Sequence, residues 1–130
     1  MTEPKWLLPE AVVAMHEIVL AEHGGLAGIR DERLMDSALA RPVNKFHYQP
    51  ESSLFDLAAA YSFGLAMNHP FVDANKRTAL LAGLVFLSLN GVDFNAPEAE
   101  TVVTFEALAA GDVSEGELSN WFKIHSKLSE

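Results

Sequence analysis

Cysteine is absent from this sequence, and positive charge is scarce. The lack of cysteine excludes disulfide bonds, thiolate catalysis and cysteine zinc sites, and it fits a reducing compartment such as the cytoplasm. Lys and Arg number 9 against 18 Asp and Glu, so the formal net charge is −9 at pH 7. Because general binding to nucleic acid requires a basic face, we expect no direct nucleic-acid partner.

Long hydrophobic runs are also missing. The most apolar stretch covers residues 78–89, and Asn90 and Gly91 end it. It is shorter than the roughly 20 residues that a helix needs to span a membrane. The first residues lack the basic-then-apolar pattern of a signal peptide. We therefore expect a cytoplasmic protein that makes no membrane contact.

The remaining composition is typical of a single globular domain over residues 1–130. Hydrophobic residues make up 49% and charged residues 21% of the chain, a balance unlike that of disordered proteins. Helical spacing and end signals predict an all-α fold of about six helices. The predicted helices run from about residue 9 to 24, 31 to 42, 54 to 68, 75 to 90 and 97 to 111, and from Ser114 onward.

Two of these helices, 54–68 and 75–90, are apolar on nearly every side. A helix without a polar face is buried, so we expect these two at the centre and the others around them. Residues 43–50 follow Arg41-Pro42, alternate weakly and contain two aromatic residues. This pattern predicts an extended flap or a small hairpin between the second and third helices.

The junction between the two central helices contains the polar residues of greatest interest. The residue before a proline avoids helical geometry, so the third helix is predicted to end at about His69. Asp73 and Asn75 are both good N-cap residues for the fourth helix. The first N–H groups of that helix lack helical partners and lie at its positive end, which predicts an anion site. Lys76 and Arg77 oppose the helix dipole there, and a bound phosphate would explain both.

Two further groups flank this predicted anion site. A histidine exchanges protons near neutral pH, so His69 suits a general base. Asp73 is a hard oxygen ligand of the kind that holds Mg²⁺ together with substrate phosphates. Together these groups indicate phosphoryl or nucleotidyl transfer. The structural alternatives are that His69 only caps one helix and Asp73 only caps the next.

Other candidate ligands are less specific. Arg30, Arg33, Arg41 and Lys45 precede the third helix and would either be solvated or converge on a bound polyphosphate. The chain has no Walker glycine pattern and no glycine-rich kinase loop. The histidines outside the junction lack the spacing of a metal site, so we expect none to bind metal: His16, His23, His47 and His125.

The stretch from His69 to Thr78 resembles the signature of the Fic/Doc family, His-Pro-Phe-x-(Asp/Glu)-Gly-Asn-(Gly/Lys)-Arg. Its Ala-Asn-Lys-Arg-Thr-Ala version looks like the Doc branch, the toxins of toxin–antitoxin pairs. Residues 28–39 look like the Doc segment that precedes the flap. The resemblance implies a compact Fic/Doc helical bundle with a short extended flap.

The resemblance also implies a role for each motif position. His69 would take a proton from the target hydroxyl, and Asp73 would help to hold Mg²⁺ and orient the phosphates of ATP. The anion-binding turn would consist of Ala74, Asn75, Lys76 and Arg77, with Arg77 pairing with phosphate. The flap residues would align the target polypeptide as an added strand: Asn44, Lys45, Phe46, His47 and Tyr48.

Lys76 determines which reaction the resemblance implies. Most Fic proteins have glycine there, which lets the backbone approach an inner phosphate, and they transfer AMP. Doc-type proteins have this lysine and are understood to transfer the γ-phosphoryl group of ATP to a threonine of elongation factor Tu, which arrests translation. We therefore expect a kinase paired with a Phd-like antitoxin. The alternatives are an adenylyltransferase on the same scaffold and a non-catalytic binding module.

Overall fold

The helix over residues 54–68 lies buried at the centre of the fold, as predicted, and the helix over residues 75–89 packs on it with one face only partly buried. A computed structural model describes residues 2–128, with six helices and two short strands in that range. The elements, in chain order, are α1 (Pro9–His23), α2 (Glu32–Tyr48), α3 (Leu54–Asn68), α4 (Asn75–Leu89), β1 (Val92–Phe94), α5 (Glu98–Ala109), α6 (Glu115–Ile124) and β2 (Ser126–Leu128). The expected all-α bundle is confirmed.

Helix α3 is the most enclosed element of the described chain. It packs against α2, α4 and α6, and its middle is buried on every side. Small residues allow α4 to come close, since a Cβ added at Gly83 would collide with Ser62 Oγ and lie 3.0 Å from Phe122 Cζ. Ser62 Oγ also donates a hydrogen bond to Ala79 O at 2.7 Å. The close α3–α4 pair holds the two ends of the junction in fixed positions.

The other elements cover this pair. Helix α1 packs on α4, and both α5 and α6 pack on α3. Strand β1 pairs antiparallel with β2, with Asp93 opposite Lys127, and β1 also packs on α4. We did not predict these strands, because each has only three residues, too few to establish a periodic pattern.

The predicted extended flap is wrong, because α2 continues through Pro42 to Tyr48. A proline inside a helix costs about 3 kcal/mol through a lost hydrogen bond and a steric clash. Contacts of residues on both sides of Pro42 offset that free-energy cost. Arg41 and Lys45, one turn apart, both bind Glu115 of α6, with N···O distances of 2.7 and 2.5 Å. Phe46 packs edge-on against Trp6, with ring centroids 5.8 Å apart.

Capping boxes mark two helix starts. Ser53 Oγ accepts from Asp56 N, and the Asp56 side chain accepts from Ser53 N, so Ser53 rather than Ser52 caps α3. Ser114 and Glu117 make the same reciprocal pair at the start of α6. Such pairs satisfy N–H groups that have no partner inside the helix. Across residues 2–128, no helix combines the length and apolarity needed to cross a membrane.

Asp56 is expected to make stability depend on acidity. Burial raises the pKa of Asp56, but hydrogen bonds from Ser119 and Ser53 outweigh burial and hold the pKa below its ordinary value of 3.8. The ionised carboxylate therefore stabilises the fold fully above that ordinary value. This stabilisation is lost as the pH falls through the lowered pKa of the folded state.

Asp56→Asn should lower the free energy of unfolding at neutral pH by about 1 kcal/mol and flatten its decline in acid. Urea denaturation at neutral pH and at about pH 3 measures both effects. The control is Asp93→Asn, which changes an exposed carboxylate on β1. Equal pH dependence in the two variants would show that Asp56 has no special role.

Candidate active site

The candidate site is the turn between α3 and α4, residues 69–77. Helix α3 ends at Asn68, and His69 is its C-cap in a left-handed conformation, with φ 50° and ψ 56°. The His69 N–H donates to Leu65 O at 3.3 Å. The backbone of His69 thus ends the helix where we predicted, while its side chain is exposed. This leaves the imidazole accessible for proton exchange.

The start of α4 differs from the prediction that Asp73 or Asn75 is its N-cap. Ala74 is the N-cap, with φ 62° and ψ 27°, and no side chain caps the helix. The first helical hydrogen bond joins Thr78 N to Ala74 O at 3.1 Å. The N–H groups of residues 75–77 precede it, at the positive end of the helix dipole. This is the geometry of an anion site.

The two predicted caps serve other purposes. The buried Asn75 side chain accepts from Phe71 N at 2.9 Å and donates to Phe71 O at 3.0 Å. It therefore closes the loop before α4. The Asp73 carboxylate accepts from Ala74 N at 2.8 Å through Oδ1 and from Leu26 N at 3.1 Å through Oδ2. Both side chains are used to shape the turn, which explains why neither caps the helix.

Asp73 remains ionised near neutral pH. The hydrogen bond from the Leu26 N–H, and then that from the Ala74 N–H, hold the pKa of Asp73 below its ordinary value. Each carboxylate oxygen still has a free lone pair, since each accepts one described hydrogen bond. Mg²⁺ in proteins is often bound by one or two carboxylates plus substrate phosphates. Asp73 fits that donor set, and residues 2–128 contain no cluster of three acidic or histidine ligands.

A segment before α2 braces this turn, and we call residues 24–31 the strap. Val72 N donates to Gly28 O at 3.0 Å, and the N–H groups of Arg30 and Asp31 both donate to Pro70 O, at 2.7 and 3.1 Å. An isolated antiparallel bridge joins Ile29 to Phe71. The strap therefore pairs with the turn as a short strand would, and it limits how far the turn can move.

The predicted basic groups before α3 do not form one cluster on the turn: Arg30 contacts it, whereas Arg41 and Lys45 bind elsewhere. Arg30 donates to His69 O at 2.8 Å and to Asn68 O at 2.9 Å, so it caps the C-terminal end of α3. Arg41 and Lys45 pair with Glu115, as described above. Lys76 and Arg77 are both exposed on the first turn of α4, and Lys76 Nζ lies 3.8 Å from Glu106 Oε1 of α5. Both cations therefore belong to the helix turn that carries the candidate anion site.

The predicted target-aligning residues form the last turns of α2. Within the described range they make no hydrogen bond or ion pair to residues 69–77, and Tyr48 is 88% exposed. A helix offers no free strand edge, so pairing of a target as an added strand does not fit this conformation. Their role in aligning a target stays a prediction: Asn44, Lys45, Phe46, His47 and Tyr48.

His16 is a site residue that the sequence analysis missed. It is only 3% exposed, its Nε2 lies 2.9 Å from Asp73 O, and its ring stacks on Phe71 at 3.8 Å between centroids. Its spacing from Val12 and Val19 does place it on the buried face of α1. That signal was available, but nothing in the sequence indicated which distant residue it would contact.

Gly25→Ala should disturb the Asp73 carboxylate. Gly25 has φ +124°, and an added Cβ would lie 2.9 Å from Asp73 Oδ2 and 3.0 Å from Leu20 Cδ2. The control is Gly24→Ala, where φ is +78° and an added Cβ meets nothing within 4 Å. Both changes should cost about 1–3 kcal/mol of backbone strain. Only Gly25→Ala should also shift the amide resonance of Ala74, which binds the Asp73 carboxylate and is distant in sequence from both glycines, in ¹H–¹⁵N spectra. Equal shifts in both variants would contradict the close approach.

The turn lies within the part of the chain that matches known proteins. The sequence model of the Fic/DOC family matches residues 6–87, which include α1 to α3 and the turn. The chain is 36% identical over 107 residues to "Protein kinase doc" of Escherichia phage P1, covering 82% of this chain and 83% of that protein. It is 42% identical over 85 residues to "Toxin Doc" of Mycolicibacterium smegmatis, covering 62% and 65% respectively. The chain belongs to the Fic/DOC family.

Proposed function

We propose that the protein is a Doc-like toxin that transfers the γ-phosphoryl group of ATP to a threonine hydroxyl of elongation factor Tu. The observation that carries the proposal is the uncapped N-terminus of α4, flanked by the exposed His69 and the ionised Asp73. The names of the two relatives, a protein kinase and a toxin, support it. Arrest of translation would be the outcome in the cell.

Each residue has a separate task in the proposed reaction. The N–H groups of residues 75–77 and the Arg77 guanidinium bind the phosphates of ATP. The threonine oxygen forms a bond to the γ-phosphorus as the bond to the β,γ-bridging oxygen breaks and ADP leaves. His69 accepts the threonine proton, which later passes to solvent. When bound, Mg²⁺ held by Asp73 neutralises charge on the phosphates.

The partners follow from the same proposal. An active toxin requires an inhibitor in its own cell, and we propose a Phd-like antitoxin for that role. The substrate protein is elongation factor Tu, and the cofactors are ATP and Mg²⁺. The reaction would take place in the cytoplasm, without direct contact with nucleic acid. The net charge of −9 fits a protein rather than a nucleic acid as the partner.

His69→Ala should abolish phosphoryl transfer while leaving the fold intact, because the exposed imidazole has no packing role. Intact-mass spectrometry of elongation factor Tu, after incubation with the protein, ATP and Mg²⁺, measures the transfer. We expect one added phosphoryl group with the wild type and a rate at least about 100-fold lower with His69→Ala. The control is His23→Ala, another exposed histidine, at the end of α1.

Arg77→Ala should cause a comparable loss, because it removes an exposed cation from the first turn of α4. Arg33→Ala, which removes an exposed arginine on the first turn of α2, is its control.

No mass gain with the wild type would refute elongation factor Tu as the substrate. If His69→Ala also remained fully toxic in cells, a non-catalytic binding module would replace the enzyme.

A second candidate, adenylyl transfer, is favoured by the position of Lys76. Its ammonium group lies 3.8 Å from Glu106 of α5. In this conformation Lys76 is paired with a carboxylate and is not free to bind phosphate, as our reason for preferring the kinase requires. Both side chains are substantially exposed, and an exposed pair of this kind contributes little energy. The pairing is thus also compatible with the kinase, because bound ATP could displace Glu106 as the partner of Lys76. The mass added to the target distinguishes the two reactions.

Lys76→Gly should reduce phosphorylation or shift the product towards AMP transfer. Glycine would let the backbone approach an inner phosphate and would remove the cation. The matched control is Glu106→Gln, which removes the partner of Lys76 and keeps the lysine itself. Unchanged phosphorylation by Lys76→Gly would contradict our reason for preferring the kinase. An added adenylyl group with the wild type would establish the second candidate instead.

A further inference from the structure

His16 contacts the candidate site, but none of the roles proposed above involves it. It belongs to α1, distant in sequence from the turn, and it is 3% exposed. Its Nε2 lies 2.9 Å from Asp73 O. A carbonyl oxygen can only accept, so Nε2 carries the proton and donates this hydrogen bond. The His16 side chain thus contacts the site from the protein interior, through the backbone carbonyl of Asp73.

The imidazole ring makes a second contact with the same loop. It lies nearly parallel to the Phe71 ring, with an interplanar angle of 7° and 3.8 Å between centroids. Phe71 is 1% exposed, and Asn75 binds both its N–H and its carbonyl oxygen. His16 therefore holds the loop at Phe71 and at Asp73, on both sides of the exposed Val72.

The hydrogen bond to Asp73 O has a consequence for the anion site. That oxygen and the Ala74 N–H belong to one planar peptide group. His16 holds the oxygen, while the Asp73 carboxylate holds the N–H at 2.8 Å. The orientation of this peptide bears on the left-handed conformation of Ala74, the N-cap that immediately precedes the N–H groups of residues 75–77.

We propose that His16 is a positioning residue for phosphoryl transfer. Through its hydrogen bond to Asp73 O it orients the Asp73–Ala74 peptide, and hence the Mg²⁺-binding carboxylate and the phosphate-binding N–H groups. It does not touch substrate. This proposal rests on the proposed function for its effect on ATP, but its effect on the turn is independent of that function.

Two substitutions separate the two contacts of His16. His16→Phe keeps a flat ring against Phe71 and removes the donor. His16→Gln keeps an N–H donor at a similar reach and removes the ring. The control is Met15→Ala, which creates a cavity at the neighbouring buried position of α1 and leaves His16 in place. Urea denaturation shows how much stability each variant has lost.

The first readout needs no activity. Hydrogen exchange of the Leu26 and Ala74 amides, both bound to the Asp73 carboxylate, reports whether the turn is held. We expect exchange at these amides to quicken about tenfold in His16→Phe beyond the change that its global stability explains. Met15→Ala should show only the global change, and His16→Gln should stay close to the wild type.

The second readout is binding of ATP and Mg²⁺ by calorimetry, with kcat and KM for the transfer. His16→Phe should weaken binding and lower kcat/KM by about 10- to 100-fold, with His16→Gln restoring most of both. Equal behaviour of His16→Phe and Met15→Ala at matched stability would overturn the proposal, as would no rescue by His16→Gln. A wild type that binds no ATP would refute the proposed function, and the exchange rates alone would then decide the role of His16.

Discussion

The hydrogen bonds between the strap and the turn after α3 are the constraint on which the rest of the site depends. Pro70 O accepts from two strap N–H groups, Val72 N donates to Gly28 O, and Asp73 accepts from Leu26 N. A loop exposed to water would ordinarily sample many conformations. Here the pairing holds two residues, His69 and Ala74, in left-handed conformations that non-glycine residues seldom adopt. Ordered hydrogen bonds thus offset local strain in a short active-site turn.

This bracing leaves the first N–H groups of α4 without a side-chain cap. Asn75 and Asp73 would each satisfy helix N–H groups if they capped α4, but the first closes the loop and the second faces the strap. The uncapped helix end then keeps its positive potential for an anion. Other cations have structural partners, since Arg30 binds the end of α3 and Lys45 binds Glu115 of α6. Selectivity for phosphate would therefore come from N–H groups and Arg77 more than from a general basic surface.

Sequence reasoning located the helices and the turn, because local signals govern both. The apolar character of α3 reports its burial directly, although the equally apolar α4 keeps one face only partly buried. The residue before Pro70 ends a helix for steric reasons. It was wrong about the flap, since contacts of Arg41, Lys45 and Phe46 with distant residues carry α2 past Pro42. It also missed the contact of His16 with Asp73 and the strap pairing. These depend on tertiary geometry, which no local spacing rule contains.

Titration of the ¹⁵N-labelled protein with Mg²⁺ and a non-hydrolysable ATP analogue tests the central claim most directly, because it locates the phosphates without requiring the target protein. The account predicts that the amide resonances of Asn75, Lys76 and Arg77 shift most, and that Arg77→Ala weakens the binding. Shifts centred elsewhere, or no saturable shift at these three amides, would contradict a phosphate site at the N-terminus of α4.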